Sequence, residues 1–228
     1  MALDVKLQGR IRKRLEAIDA ETTGGDPRDL AQTQQLELLV AQGPSQYENA
    51  VASGRAFWIG STTAVAGVVA IPTTAVHLAL FNNDVDGGRS LIIDWVAASG
   101  VAKTAAAGQQ QILGLIGQVR EAAPTNSALV AKKRNGLGGN AADTKALSIV
   151  GGTALPAATG VAANWFPIGP AFGSPGAAAT PGNGAFQRVD GDIIVAPGRY
   201  FAITVLADVV GSTYQSFIGW HEKQITLA

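Results

Sequence analysis

The sequence contains no cysteine, one methionine and 2 histidines, and only 15% of its 228 residues are charged. Each shortage excludes something. Without Cys there is no disulfide framework, no thiolate metal site and no cysteine nucleophile. The 17 Lys+Arg and 17 Asp+Glu cancel to a formal net charge of zero. The long-range field that steers proteins onto nucleic acid or anionic membranes is therefore missing, and the composition argues against a nucleic-acid partner. Soluble domains usually carry roughly a quarter charged residues, so part of this surface is expected to be covered by another subunit. Hydrophobic residues reach 47% and mean hydropathy is +0.19, which is too apolar for disorder. The length suits one domain of about 150–200 residues plus an appendage.

Catalytic patterns are equally scarce. His77 and His221 belong to no H-x-H, H-E-x-x-H or H-x3-H spacing, and no G-x-S-x-G accompanies them. His221 and Glu222 are adjacent on a predicted strand, so their side chains should point to opposite faces. A two-carboxylate glycosidase needs only two acids facing one cleft. Residues 55–228 offer nine: Asp84, Asp86, Asp94, Glu121, Asp143, Asp190, Asp192, Asp208 and Glu222. Most fall in predicted turns or at strand ends, where acids are usual, and no enzyme is expected. Asn82, Asp84, Asp86 and Gly87 match the first half of a calcium loop, but Ile93 stands where the bidentate Glu belongs. A hairpin turn is the expected reading there. Lys132-Lys133-Arg134 before a glycine-rich turn reads as a solvated basic turn, since no phosphate-binding loop is present. No cofactor and no metal are expected.

What is present divides into two textures. The first 55 residues hold 15 of the 34 charges, 7 basic and 8 acidic. Leu7, Ile11, Leu15 and Ile18 form one stripe of an amphipathic helix, with Arg10, Lys13 and Arg14 on its other faces. Gly24-Gly25 breaks the chain, and Asp26-Pro27 reads as a helix cap followed by a first-turn proline. A second helix should run to about Ala41, carrying Leu30, Leu36, Leu39 and Val40, and stop at Gly43-Pro44. Two helices with so few apolar anchors form no core alone, so residues 1–54 are expected to be an arm that docks elsewhere. The RIRKR run at 10–14 is balanced by neighbouring acids and suits a subunit contact as well as packaged nucleic acid. Charges run throughout this segment without a following apolar stretch, unlike a secretory signal.

From residue 55 onward the pattern becomes strands, predicted at 57–65, 74–81, 91–98, 109–119, 147–153, 192–196, 200–209 and 214–225. Residues 57–81 are long and apolar enough to raise a membrane span. Their β-branched content on either side of Pro72 reads instead as two strands joined by a turn, so no membrane partner is expected. Phe201, Ile203 and Val205 alternate with Tyr200, Ala202 and Thr204, the period of a half-buried strand. At 112–116 both faces are apolar, as in a strand covered twice. About eight strands without intervening helices predict a mainly β protein, an antiparallel β-sandwich of jelly-roll type spanning 55–228 with a short helical N-terminal arm. Residues 146–187 contain no charge at all. Within 151–186, 8 Gly, 5 Pro and 10 Ala account for 23 of 36 positions. That composition predicts a long loop, and its Trp165, Phe166 and Phe172 make it one that lies against a neighbouring subunit.

A helical arm, a charge-poor Ala/Gly/Thr/Val-rich jelly roll and a glycine-proline loop together resemble virion proteins of tailed bacteriophages. The resemblance is greatest to the capsid decoration (cement) proteins. The segments that carry it are RSLIIDWVAASGVA at 89–102 and APGRYFAITVLADVVGSTYQSFIGWHEKQI at 196–225. The latter is similar to the closing hairpin of trimeric jelly rolls in phage heads, tails and fibres. The resemblance implies a homotrimer that bridges neighbouring capsid subunits, with the major capsid protein or another virion protein as partner. A tail or fibre protein that binds a receptor or glycan, through Trp165, Phe166 or Trp220, is the alternative.

Overall fold

The computed structural model describes residues 47–74, 76–102, 108–124, 129–137, 146–150, 155–157, 159–174, 184–208 and 211–225. The chain divides into two compact units, Met1–Ser45 and Gln46–Ala228. In the second unit, a short helix α1 (Glu48–Ala52) precedes the strands. These are β1 (Ala56–Gly60), β2 (Val65–Ala66), β3 (Leu78–Asn82), β4 (Arg89–Ala102), β5 (Gly108–Ile116), β6 (Lys132–Lys133) and β7 (Ala146–Val150). They continue with β8 (Trp165–Ser174), β9 (Gly184–Val195), β10 (Tyr200–Ala207) and β11 (Thr213–Gln224). One sheet has the order β6-β1-β11-β4-β9, with β2 also paired to β11; the other has the order β7-β3-β10-β5-β8.

The pairings are nested. β1 pairs antiparallel with β11, β3 with β10, β4 with β9, and β5 with β8. A ribbon folded back on itself and rolled between two sheets gives this order, first strand with last and middle with middle. The predicted β-sandwich is therefore the fold, and its topology is that of a jelly roll.

Alternation decides which side chains fill the space between the sheets. Phe201, Ile203 and Val205 of β10 face Phe57, Ile59, Ile218 and Trp220 of the opposite sheet in one core cluster. Trp220 is fully buried and stacks on Phe57 with ring centroids 5.9 Å apart. Each such side chain contributes roughly 1.5–3 kcal/mol by leaving water. β5 is covered on both faces as its sequence suggests: Ile112 enters the central core, while Leu113 and Leu115 enter a second cluster outside the sheet. The 82–88 turn is held by its own side chains. Asp84 accepts bonds from the Val85 and Arg89 amides, and the Asn82 amide donates to the Arg89 and Val195 carbonyls. These carboxylate and amide groups serve the turn, which is not the expected hairpin: β3 and β4 belong to different sheets, so the chain crosses here from one layer to the other.

Three further expectations need correction. The stretch 57–81 holds β1, β2 and the start of β3, with the apolar residues 67–74 as a loop between strands. Among the described residues, no helix is long and apolar enough to cross a membrane. The strand predicted at 192–196 begins earlier, at Gly184. The largest correction concerns the loop predicted at 151–186. Residues 165–174 of it are the edge strand β8, paired with β5 through Trp165↔Leu115, Phe166↔Gly114 and Ile168↔Ile112. Pro167 and Pro170 conceal the strand in the sequence, yet an edge position needs no donor on its free side. Gly169 takes φ +72 where the ladder shifts register between Gln110 and Ile112.

Candidate functional site

The two sheets treat their outer faces differently. Outside the second sheet, Val76, Phe81, Leu113, Leu115, Trp165 and Tyr200 form a closed apolar layer with Leu155. Residues 155–160 are fastened over it. The Leu155 amide donates to the Thr74 carbonyl, and the Thr159 hydroxyl donates to Glu121 at 3.0 Å. Gly160 lies so close to the Thr73 carbonyl that any Cβ would collide with it.

Outside the first sheet the aromatic residues are only partly covered: Trp58, Trp95 and Phe217 are half-buried and Phe186 is exposed. Trp58 of β1, Gly219 of β11, Trp95 of β4 and Arg188 of β9 are successive partners across the sheet. The adjoining row is Gly60, Phe217, Ala97 and Phe186. The Trp95 indole covers Gly219 and the Phe217 ring covers Gly60, each occupying the space a Cβ would need. The rings therefore lie along the sheet, one face on glycine and the other outward. Phe186, 60% exposed, packs at 5.4 Å from Trp95, and the Lys132 ammonium sits 5.3 Å from the Trp58 ring centre.

Next to this row is a buried ionic cluster. Asp94 is the extra residue of a bulge: β4 advances through Ile93, Asp94 and Trp95 while β11 advances only from Trp220 to Gly219. A bulge re-aims a side chain, here turning Asp94 to the outer face beside Trp95. Its carboxylate is wholly covered, accepting from His221 Nδ1 at 2.6 Å and from Arg134 at 2.6 Å. Tyr47 closes the cluster. Its ring lies 5.9 Å from His221 and 5.7 Å from the Arg134 guanidinium, and its hydroxyl donates to Asp190 at 2.5 Å. Burial, then the bond to Asp190, pushes the Tyr47 hydroxyl well above the usual phenol range. Asp190 is the one described non-glycine residue with positive φ, at 51, and with Gly191 it forms the wide bulge of β9. The cluster thus joins both bulges to Tyr47, just before α1.

Chemically, this face suits contact. Asp94 and His221 make a carboxylate–imidazole pair, but among the described residues His221 makes no hydrogen bond to a serine or threonine hydroxyl. Among the described residues, no three His, Cys, Asp or Glu side chains gather as a metal site. Glu222 points inward opposite His221, as adjacent strand residues must, and pairs with Arg89 at 3.3 Å. A concavity of about 540 Å³ lies along residues 67–74, with Val69 and Ile71 exposed and no ionisable side chain in its lining.

Of the residues expected at interfaces, Leu7, Arg10, Ile11, Arg14, Leu15, Ile18, Leu36 and Leu39 lie outside the described residues. Trp165 is 9% exposed and belongs to the layer outside the second sheet. Phe166 and Phe172 are half-buried against the central core. All three are engaged by their own chain, because β8 carries them into it. Trp220, the other candidate for glycan contact, is central core. The open aromatics Trp58, Trp95, Phe186 and Phe217 were missed. Their signal in the sequence is an aromatic opposite a glycine, and only strand register makes that pairing visible. No family model matches the chain, and no curated protein or solved structure is similar to it.

Proposed function

We propose that this chain is a non-enzymatic structural protein of a tailed-bacteriophage virion. It acts as a capsid decoration (cement) protein that self-associates, as a trimer, and bridges neighbouring capsid subunits. One observation carries the self-associating part: the outer face of the first sheet leaves Phe186 exposed beside half-buried Trp58, Trp95 and Phe217, whereas the second sheet covers its outer aromatics with its own chain. Exposed aromatic patches of this kind mark contact surfaces, and a charge-poor body fits a permanent interface. The jelly-roll body and the charge-dense N-terminal segment supply the support for the virion assignment. The partners are copies of this chain and the major capsid protein or another virion protein, and many equal copies turn modest contacts into tight attachment.

Deleting residues 1–45 is expected to leave a folded β unit that no longer attaches to particles. Unimpaired attachment of the truncated chain would end the arm's assigned role. A second reading, a tail or fibre component that binds a glycan, is favoured by the flat rings of Trp95 and Phe217, whose open faces suit stacking on sugar rings. Binding on a glycan array that Trp95→Ala abolishes would establish it, and an array without signal would remove it.

A further inference from the structure

Sheet edges are rows of unpaired N–H and C=O groups, and this protein guards them unequally. The free edge of β9 carries Arg188, Asp190 and Asp192 and bends at the Asp190-Gly191 bulge. The free edge of β8 is interrupted by Pro167 and Pro170. Charge, bulges and proline are the usual means of blocking strand addition. β7, at the other end of the second sheet, has none of them. Its sequence is ALSIV, and it pairs with β3 without a register shift from Leu78↔Val150 to Asn82↔Ala146.

The direction of each β7 backbone group follows from β3. The Asn82 amide donates to the Arg199 carbonyl and the Asn82 carbonyl accepts from the Gly198 amide, so both groups of Asn82 face β10. Backbone groups alternate along an antiparallel strand. Phe81 and Ala79 therefore face β7 and bond Leu147 and Ile149. The other side of β10 agrees: the Tyr200 carbonyl accepts from Gly117, beyond the end of β5, which leaves Phe201 facing β3. Consequently Ala146, Ser148 and Val150 direct their N–H and C=O groups away from the sheet, and no strand lies beyond them among the described residues.

We propose that this edge takes a second copy of itself, β7 to β7 across a two-fold axis at Ser148. Three points on the strand specify the occupant. It is uncharged, so a two-fold brings no like charges opposite each other, which would be destabilising. Its outward residues are symmetric about its centre, so the axis sets Ser148 opposite Ser148 and Ala146 opposite Val150. All outward groups then form bonded pairs, and one continuous sheet runs through two subunits. This contact is additional to any trimer contact of the first sheet and stands whether or not the chain belongs to a virion.

The test is the mass of the full-length chain in sedimentation velocity and its hydrogen exchange. The wild type is expected to contain a two-fold assembly, with the Ser148 and Val150 amides protected. Ser148→Pro removes an outward donor without touching the ladder to β3, and should halve the mass while the thermal midpoint of the dissociated chain stays that of a folded protein. Ser148→Lys places two like charges on the axis and should do the same if the proline variant fails to fold. A wild type whose mass both variants share, or rapid exchange at Ser148 and Val150 in the wild type, overturns the proposal.

Discussion

The outer faces of the two sheets both carry large apolar residues and come to opposite ends. The second face is closed by residues 155–165 of its own chain, with Trp165 and Leu155 as the cover. The first face is left to Trp95 and Phe217 lying on glycines, beside an Asp94 held by hydrogen bonds from His221 and Arg134. One face is consumed by folding, and the other remains available to a partner. Substitutions on the closed face should therefore lower stability, and those on the open face should lower association.

The largest expected effect is on the closed face. Trp165→Ala opens a cavity under residues 155–165 and should cost about 3–5 kcal/mol in urea unfolding. A loss below about 1 kcal/mol would mean the cover is not part of the core. Asp94→Ala comes next, because it leaves Arg134 and His221 without their shared carboxylate. Breaking a buried pair costs about 3–5 kcal/mol, and the partial exposure of both partners places this one toward the lower end. Gly219→Val sharpens the contrast within the open face. Its side chain must displace the Trp95 indole, costing about 1–3 kcal/mol as overpacking does while also abolishing contacts made through the row. Trp58→Ala should cost under about 1.5 kcal/mol, since that ring is half-buried, but should reduce the sedimenting mass. Equal stability losses for Trp58→Ala and Trp165→Ala would erase the distinction between the faces.

The final expectation is a pH dependence from the buried groups His77 and Tyr200. Burial lowers the His77 pKa against the opposing pull of its bond to the Ala66 carbonyl. The unfolded chain then binds the proton more readily, so stability is full above the ordinary histidine pKa of about 6.5 and falls as pH drops through it. Burial, with Glu121 nearby, pushes Tyr200 up to about 12. Its contribution is present below the ordinary phenol value of about 10 and is lost as pH rises toward the folded value. Thermal melts against pH should show a shallower acid slope for His77→Gln and a shallower alkaline slope for Tyr200→Phe, the rest of the alkaline slope coming from Tyr47 and Tyr214, whose hydroxyl pKa burial also raises.

Alternation made much of the body legible. The doubly apolar Ile112–Ile116 appears in the structure with the burial its spacing implies. Tyr200–Ala207, read from its alternation as half-buried, is covered on both faces instead, because Tyr200 and Ala202 enter the outer cluster while Phe201, Ile203 and Val205 enter the central core. β8 was illegible because glycine and proline dominate its composition, and an edge strand tolerates both. The open aromatic row was illegible for another reason. Trp58, Trp95, Phe186 and Phe217 belong to four strands, and no one-dimensional pattern links them.

The sequence by itself determined most of the strands, β8 and the first half of β9 excepted, that they form a two-layer β body, and that charge is concentrated toward the N-terminus. Those properties are local: they depend on the spacing of apolar residues and on turn chemistry within a few positions. Only the tertiary structure decided which aromatics are core and which are surface, because strand pairing sets that choice. It also moved Asp94 outward through one inserted residue and left β7 with no strand beyond it among the described residues. Register and sheet order arise from contacts between residues more than a hundred positions apart, such as Asp94 with His221.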